Sequence, residues 1–312
     1  MSIKKINIFN RIIYWNEILM EVSILIVTKN RPDELEITLN KLFGLLDLSI
    51  HEVLVFIDGC KKTEVLIAKY PWVHWENSAI SISASPARNK LYKKAKGKIF
   101  IGLDDDAHPL NTNFITISEK LFKELPKVGI LAFEEIKGIF NSDTDVLTLK
   151  QDVLQEYLCS EFVGCGFAIR KDVYEITNGF PVWVDIYGEE SCLSMEVLAK
   201  GYDILYTNRI TVNHRINRAQ RMQTRRNYYR FGKQLKNTTF YYLVYYPFPL
   251  FKIAKLFWHN FKKYACSDWK YFKTYFKALF AIVLFLPRLI PYRNPIDAIT
   301  LEKISQLPNP KF

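Results

Sequence analysis

The chain has 312 residues, 49% hydrophobic and 24% charged, enough for one large domain with an appendage or for two domains. It has no run of about 18 to 20 uninterrupted apolar residues, which argues against a membrane-spanning helix. Polar residues soon after Lys4 and Lys5 argue against a cleaved signal peptide. Five cysteines without a CxxC pair argue against a disulfide framework or zinc site, and predict reduced thiols in a cytosolic protein.

The net charge of +11 is unevenly distributed. From Arg215 to the end, 19 Lys and Arg accompany 3 Asp and Glu, giving +16, whereas residues 1–214 carry −5. A mildly acidic body is therefore followed by a strongly basic tail, which predicts a polyanionic surface as the partner of the tail.

After a basic and apolar lead-in at residues 1–20, apolar runs and helical spacings alternate along the chain. The predicted elements are strand 22–27, helix 33–46, strand 52–57, helix 63–70, helix 85–97, strand 99–103, helix 113–125 and strand 128–133. Ser85 is the predicted N-cap of its helix, with Pro86 at the first helical position. Strands that alternate with helices predict an α/β fold with a parallel, doubly wound sheet.

The stretch 98–109, K-I-F-I-G-L-D-D-D-A-H-P, is the centre of this pattern. A β-forming apolar run ends abruptly in Asp104, Asp105 and Asp106, whose adjacent negative charges repel one another. Ligands bind at the carboxyl ends of strands in open α/β sheets, and hard cations prefer carboxylate oxygens. These residues predict a site for a divalent cation with a phosphate-bearing ligand. The alternative is a solvated acidic turn that caps the helix starting near Asn111.

Polar residues also follow the first two strands, at 28–31 and at Asp58. Together with the acidic triplet they are predicted to form one polar crevice. Taken alone, Asp58-Gly59 also suits a plain turn, and Arg88 suits a solvated helix position.

The second half of the chain carries three further features. Residues 137–157 predict a loop that shapes the acceptor side, and the glycine-broken run 162–169 predicts close approach of backbone to a ligand. Glu189 and Glu190 open a helix that stops at Gly201, although acidic residues also favour helix N-termini through the dipole. Short strands at 203–206 and 210–213 lead to His214, which alone is as compatible with a structural role.

In order, these segments resemble the family 2 glycosyltransferases of the GT-A fold. The motifs are V-S-I-L-I-V-T-K-N-R-P, V-F-I-D-G, P-A-R-N-K, I-G-L-D-D-D, G-E-E-S-C-L-S, A-K-G-Y-D-I-L-Y and V-N-H, within residues 21–215. Within the family the chain is most similar to bacterial enzymes that build O-antigen, capsule or other surface polysaccharides. The resemblance implies a GT-A nucleotide-sugar transferase domain over residues 21–215.

The resemblance also implies roles for individual residues. It assigns nucleotide binding to Thr28, Asn30, Arg31, Asp58, Arg88, Asp104 and Asp105. It assigns Mg²⁺ or Mn²⁺ to Asp106, Asp104 and His214, with Asp106 as the principal ligand. It assigns the catalytic base to Glu190, with Glu189 left open because family members usually have Glu-Asp here. Cys192 and Glu196 depart from the Asp and Arg that are common in the family.

The implied reaction transfers a hexosyl or deoxyhexosyl group from a nucleotide donor to a hydroxyl of a saccharide, expected to be lipid-linked. A metal neutralises the leaving diphosphate, and a carboxylate deprotonates the incoming hydroxyl. One in-line displacement inverts the anomeric centre.

Residues 216–312 lie beyond the motifs and predict a basic, aromatic-rich helical region. Lys, Tyr and Trp at this density favour helices that lie in a membrane interface, which predicts a cytoplasmic protein on the inner face of the cell membrane. One alternative is a helical subdomain with a solvated basic face. Nucleic acid is disfavoured because the acidic body would repel it.

Two other functions stay open at this point. A polyprenyl-phosphate glycosyltransferase would keep the fold but needs no base, since a phosphate is already a nucleophile. A non-enzymatic peripheral membrane or nucleic-acid-binding protein would retain only a vestigial nucleotide fold.

Overall fold

The computed structural model describes residues 20–150, 153–216 and 227–310, so nearly all of the predicted lead-in at 1–20 lies outside the described residues. The described strands are β1 (Val22–Thr28), β2 (His51–Asp58), β3 (His74–Ser78), β4 (Ile99–Asp104), β5 (Ala107–Pro109), β6 (Val128–Lys137), β7 (Glu156–Leu158), β8 (Gly166–Arg170) and β9 (Asp203–His214). The α-helices are α1 (Pro32–Phe43), α2 (Lys61–Lys69), α3 (Ala84–Tyr92), α4 (Phe114–Glu124), α5 (Asp143–Leu147), α6 (Lys171–Glu175), α7 (Glu189–Ala199), α8 (Tyr228–Tyr245), α9 (Leu250–Lys263), α10 (Trp269–Leu289) and α11 (Ala298–Gln306).

These strands form a single sheet in the order β3-β2-β1-β4-β8-β6-β9-β5, and β7 pairs with β9. Strands β3, β2, β1 and β4 are parallel neighbours, as are β6 and β9. Strand β8 runs antiparallel to both β4 and β6. The α/β fold is confirmed as a mixed sheet whose first half is the predicted parallel sheet, so the carboxyl ends of β1, β2 and β4 lie at one edge.

Several local predictions were wrong. Residues 203–206 and 210–213 are not separate strands but parts of β9, because β9 pairs with β6 along nearly its whole length, across two irregularities in register. The third helix starts at Ala84 and ends at Tyr92, and its N-cap is Ser83 with φ 77°. The Ser85 hydroxyl instead donates 2.6 Å to the Pro181 carbonyl, because Ser85 is buried inside the helix. The predicted loop 137–157 contains α5.

Hydrophobic cores cover both faces of the sheet. Alternate residues of β1 point to opposite faces, so Ile24 belongs to the core beneath α1, whereas Leu25 belongs to the core beneath α3. A third and a fourth core lie among the C-terminal helices, where Phe240 and Tyr245 of α8 are buried and Phe231 and Leu235 pack against α10. The predicted helical C-terminal region is confirmed.

Replacement of Gly102 by alanine is expected to lower the free energy of unfolding by about 1 to 3 kcal/mol, through overpacking. A Cβ atom at this position in β4 would overlap the Phe167 ring and the Tyr92 hydroxyl. Both rings are buried, and they stack with their centroids 6.5 Å apart, so neither can move freely. Urea denaturation measures the change. Gly44→Ala is the control, since a Cβ atom there would meet no other atom within 4 Å and the φ of Gly44 is −78°; equal losses would contradict the packing argument.

One helical segment of the described chain, Trp269–Tyr292, is long and apolar enough by length and composition to cross a membrane. Lys and Thr residues occur in its first half, so the segment contains no long uninterrupted apolar run. Only 22% of its most apolar window is buried.

Candidate active site

The turn between β4 and β5 holds the acidic triplet at the carboxyl edge of the sheet. Asp105 is fully buried, and its carboxylate accepts hydrogen bonds from Thr28 Oγ1 at 2.7 Å and from Arg31 Nε at 3.2 Å. Arg31 Nη1 also contacts Asp106 Oδ2 at 2.5 Å. Burial raises the pKa of Asp105 to about 7, although the positive charge of Arg31 opposes this shift. The predicted contact between the first strand end and the triplet therefore forms.

His214 lies beside the triplet because β5 and β9 are antiparallel and pair Ala107 with His214. Its Nε2 is 3.2 Å from Asp106 Oδ1, and its Nδ1 is 2.5 Å from Glu135 Oε1 on β6. Burial disfavours the imidazolium, but hydrogen bonds to Asp106 and Glu135 outweigh it and raise the pKa of His214 to about 9. The register of three strands thus assembles the cluster.

A divalent cation fits this cluster. Ligand atoms of Asp104, Asp106 and His214 all lie within 4.8 Å of one another, and the Asp106 carboxylate is buried with its Oδ1 3.2 Å from His214 Nε2. Carboxylate oxygens suit Mg²⁺ and Mn²⁺, and the imidazole of histidine is a common metal ligand. A second group whose ligand atoms are equally close together consists of Glu135, Cys165 and His214. Burial raises the pKa of the Cys165 thiol well above its usual value. Because metals bind the thiolate, the first group is the better site.

Replacement of Glu135 by glutamine is expected to weaken Mn²⁺ binding about 10- to 100-fold, the usual effect of losing a carboxylate that orients a ligating histidine. Glu135 fixes the ring of His214 through Nδ1 and leaves Nε2 facing Asp106. Titration calorimetry with Mn²⁺ alone measures the affinity. Glu134→Gln is the control, because Glu134 bonds Thr211 at 2.8 Å rather than the histidine. Equal affinities of wild type and Glu135→Gln would contradict this role.

Arg88 connects the acidic triplet to the two glutamates of α7. Its Nη2 donates to Asp104 Oδ1 at 2.7 Å, and its Nη1 donates to Glu190 Oε1 at 3.1 Å and lies 3.7 Å from Glu189 Oε1. The guanidinium is 9% exposed, so these carboxylates compensate its buried charge. Arg88 is therefore not a solvated helix residue. Gly164 makes room for it, since a Cβ there would overlap Glu190 and crowd the guanidinium.

The two glutamates differ in access to the cavity. The Glu190 side chain is 23% exposed, whereas that of Glu189 is 4% exposed and its Oε2 has no hydrogen-bond partner. Burial raises the pKa of both carboxyls, and the pKa of Glu189 rises to about 8 because Glu190 adds a repulsive charge. Arg88 opposes the shift at both. Glu190 is therefore the glutamate that is more open to the cavity.

The stability of the wild-type protein relative to Glu189→Gln is expected to fall as pH rises from about 5 to about 8. The folded protein holds the Glu189 proton up to a pKa of about 8, above the ordinary value of 4.5. The folded state therefore binds more protons than the unfolded state in this window, and stability falls with pH. Urea denaturation at pH 5 and 8.5 measures the difference. Glu124→Gln, which changes an exposed side chain of α4, is the control. If the free energy of unfolding of the wild type relative to Glu189→Gln were the same at both pH values, this would contradict the raised pKa.

The predicted nucleotide-binding residues are not equivalent in the structure. Thr28, Arg31, Asp58, Arg88 and the acidic triplet line one cavity. The Asp58 carboxylate accepts hydrogen bonds from Ser81 Oγ at 2.5 Å and from Ile82 N at 2.6 Å, so it also orders the loop before α3. Asn30, whose φ is 58°, is the exception, because it does not line this cavity.

The cavity measures about 1080 Å³ and lies between the sheet edge and the C-terminal helices. One wall of the cavity is made by the ends of the strands, and the glutamates of α7 lie beside this wall. The opposite wall comes from α8, α9 and α10, through residues that include Arg230, Gln234, Asn260 and Tyr271. This volume is slightly above the range of about 300 to 1,000 Å³ for ligand pockets, so the cavity has room for two ligands.

Sequence reasoning missed Glu135 and the residues of the helical wall. Glu135 had a usable signal, since a charged residue in the predominantly apolar strand Val128–Lys137 needs a partner. Arg230, over the Tyr187 ring at 4.9 Å, had none, because the approach of α8 to the loop before α7 depends on tertiary packing. The basic residues Arg218, Arg221, Arg225 and Arg226 lie outside the described part of the chain.

Residues 23–176, slightly less than half of the chain, match the family model described as Glycosyl transferase family 2. The match covers β1 to α6 and contains the acidic triplet and Arg88, whereas the α7 glutamates and His214 lie beyond it. A comparison with curated proteins found no match.

Solved structures with the same fold include three glycosyltransferases. PcManGT from Pyrobaculum calidifontis, in complex with GDP-Man and Mn²⁺, is 16% identical over 85% of this chain and 75% of its own, with a TM-score of 0.54. Residues 1–349 of TarS from S. aureus, in complex with UDP-GlcNAc, are 15% identical over 85% and 81%, with a TM-score of 0.55. GalNAc-T7 with UDP, GalNAc and Mn²⁺ is 16% identical over 65% of this chain, with a TM-score of 0.51.

These likenesses establish the GT-A fold. The chain spans 45% of the GalNAc-T7 chain and about three quarters of PcManGT.

Proposed function

We propose that the protein is an inverting, metal-dependent glycosyltransferase that moves a sugar from a nucleoside-diphosphate donor to a hydroxyl group of a saccharide. The observation that carries this proposal is the position of Arg88, which contacts Asp104 on one side and Glu190 on the other. A carboxylate cluster that fits a divalent cation and a partly exposed glutamate therefore face one cavity. The family 2 match at residues 23–176 supports the same reaction class.

In the proposed reaction Glu190 accepts the proton of the acceptor hydroxyl as its oxygen attacks the anomeric carbon. The diphosphate leaves from the opposite face of the sugar, so the configuration inverts. Arg88 favours the ionised form of Glu190, and burial makes that carboxylate a stronger base than one in water. Arg31, beside the triplet and 47% exposed, can bind a phosphate oxygen. A divalent cation held by Asp104, Asp106 and His214 would neutralise charge on the leaving diphosphate.

The proposed donor is a nucleotide-activated hexose or deoxyhexose. Thr28, Arg31 and Asp58 line the end of the cavity beside β1 and β2, where the base, ribose and diphosphate would bind. PcManGT in complex with GDP-Man and TarS in complex with UDP-GlcNAc support a nucleotide-sugar donor for a chain with this fold. The structures of PcManGT and GalNAc-T7 both contain Mn²⁺, which supports Mn²⁺ or Mg²⁺ as the cofactor.

The proposed acceptor is a lipid-linked saccharide at the inner face of the cell membrane, as in the synthesis of bacterial surface polysaccharide. The acceptor would enter between Glu190 and the wall made by α8, which presents Gln234 and Thr238 to the cavity. The net charge of +16 beyond residue 214 supports a position on an anionic membrane.

The test is a panel of nucleotide sugars, comprising UDP-glucose, UDP-galactose, UDP-GlcNAc, GDP-mannose and dTDP-rhamnose, each with Mn²⁺ and with EDTA. Release of nucleoside diphosphate is measured, with binding of UDP, GDP and dTDP as a separate readout. Metal-dependent turnover of one donor supports the proposal and identifies the sugar. No turnover and no nucleotide binding would overturn it in favour of a non-enzymatic protein.

The polyprenyl-phosphate alternative is tested with the same assay. A phosphate acceptor needs no base, so Glu190→Gln and Glu189→Gln would both keep full turnover in that case. The nucleic-acid alternative predicts tight, salt-sensitive binding to a single-stranded oligonucleotide.

A further inference from the structure

Helix α10 carries one continuous outward-facing stripe. The stripe consists of residues at positions i, i+4, i+7, i+8, i+11, i+14 and i+15, namely Trp269, Lys273, Phe276, Lys277, Phe280, Val283 and Leu284. Phe280, Val283 and Leu284 are 66%, 62% and 63% exposed. Large apolar side chains at this exposure and in one row mark an interaction surface rather than ordinary scatter.

The opposite face of α10 is fixed to the protein. Tyr271, Tyr275, Ala278 and Ile282 are buried there, and the Tyr271 ring packs 5.1 Å from the ring of Phe231 on α8. The Tyr275 hydroxyl donates to the Phe257 carbonyl of α9 at 3.2 Å. If α10 crossed a bilayer it would have to leave α8 and α9 and expose these faces. A helix that lies in the plane of the interface keeps both its packing and its stripe.

The charges around the stripe identify its partner. Residues 269–296 contain no Asp or Glu. Lys273 and Lys277 lie within the stripe and Lys270 beside it, while Arg288 follows its apolar end. An apolar row with basic residues at both ends matches a lipid surface, where the chains accept the apolar groups and anionic headgroups pair with the cations. A protein partner with such a long apolar row would not need the cations.

We infer that the α10 stripe is a membrane-binding surface, by which the protein lies on an anionic bilayer with α10 parallel to the membrane plane. Phe280, Val283 and Leu284 enter the headgroup–acyl boundary, and Lys273 and Lys277 bind lipid phosphates. This inference names the element and the orientation behind the proposed membrane position, and it does not depend on the transfer reaction.

The orientation places the active-site cavity close to the lipid. Tyr271, on the buried face of α10, lines the cavity, whereas Trp269 and Phe276 of the same helix belong to the stripe. The cavity wall and the membrane surface are therefore separated by roughly one helix, on the order of 8 to 10 Å. A saccharide that is carried on a lipid could reach Glu190 without leaving the bilayer.

The test is flotation of the full chain with vesicles of phosphatidylcholine and phosphatidylglycerol at a 7:3 ratio, compared with phosphatidylcholine alone, at 0.1 M and 0.5 M salt. The expected result is binding to the anionic vesicles that is largely reversed at 0.5 M salt. The Phe280→Ser/Leu284→Ser variant is expected to bind more than about tenfold more weakly. Lys273→Gln and Lys277→Gln are each expected to weaken binding about fivefold.

The matched control is Val65→Ser/Val153→Ser, which removes two apolar side chains that are 69% and 72% exposed outside the C-terminal helices. It is expected to bind like the wild type. Circular dichroism checks that each variant is folded. If Phe280→Ser/Leu284→Ser does not fold, the lysine variants test the surface. No binding to the anionic vesicles, equal binding to both vesicle types, or binding that resists 0.5 M salt and needs detergent for release would overturn the inference. Failure of the donor panel would leave this result unaffected.

Discussion

Replacement of Glu190 by glutamine is expected to lower kcat about 10²- to 10⁴-fold, the usual contribution of a positioned general base. Glu190 is the glutamate of the α7 pair that is open to the cavity, and its Oε1 is held 3.1 Å from Arg88 Nη1. The amide keeps an oxygen that can accept this hydrogen bond, so the geometry around Arg88 should persist. Transfer to an acceptor is measured at saturating donor, and nucleotide binding is expected to stay near the wild-type value.

Glu189→Gln is the matched control for this prediction. The pKa of Glu189 is raised to about 8 by burial, so its carboxyl is largely neutral at pH 7 and an amide resembles it. Transfer by this variant at pH 7 is expected to change little. If Glu189→Gln lost the rate and Glu190→Gln kept it, the base would be Glu189. Full rates in both variants would instead favour a phosphate acceptor.

Cys192 and Glu196 of α7, which depart from the residues common in the family that the sequence resembles, have a structural explanation. Glu196 is 7% exposed, and its carboxylate accepts hydrogen bonds from Asn178 N at 2.6 Å and from the Tyr245 hydroxyl of α8 at 2.8 Å. An arginine there would place a positive charge among these donors. Cys192, one turn before Glu196, is buried in the core that α7 shares with α8. Both departures therefore fit the packing of α8 against α7.

Helix α8 also holds the loop before the two glutamates. Asn237 Nδ2 donates to the carbonyls of Ile186 at 2.8 Å and Tyr187 at 3.1 Å, and Lys236 pairs with Asp185 at 3.0 Å. Tyr187 and Gly188 both have positive φ, so this turn needs support. The C-terminal region thus holds the loop that leads into α7, in addition to forming one wall of the cavity.

Local sequence patterns predicted that the ends of β1 and β4 meet at the cavity, but not the contacts between this edge of the sheet and α7. Asp104 to Asp106 and Thr28 follow apolar strands, and parallel pairing brings such strand ends together without further information. Arg88 was attributed to nucleotide binding, but its bond to Glu190 spans 102 residues and depends on how α3 and α7 meet. The role of Glu135 likewise depends on the pairing of β6 with β9, which no local pattern specifies.

Replacement of Asp106 by alanine is expected to abolish measurable Mn²⁺ binding at the site and to lower turnover on the order of 10²- to 10³-fold, since metal stabilisation of a leaving group contributes several kcal/mol. Asp106 is buried, with one carboxylate oxygen beside His214 Nε2 and the other beside Arg31 Nη1. EDTA treatment of the wild type should reproduce the loss of turnover. Calorimetry with Mn²⁺ alone, then with UDP or GDP, measures binding independently of transfer.

Asp143→Ala is the matched control, because Asp143 also contacts a histidine, with its Oδ1 3.1 Å from His108 Nε2. Asp143 does not belong to the group of Asp104, Asp106 and His214 that fits a cation. It is expected to bind Mn²⁺ like the wild type. Wild-type affinity in Asp106→Ala would show that the cation binds elsewhere, and equal losses in both variants would point to a general effect on folding. Loss in Asp106→Ala alone would assign the cation to the end of β4, where it would share Asp104 with Arg88 and be linked through that guanidinium to Glu190, the proposed base.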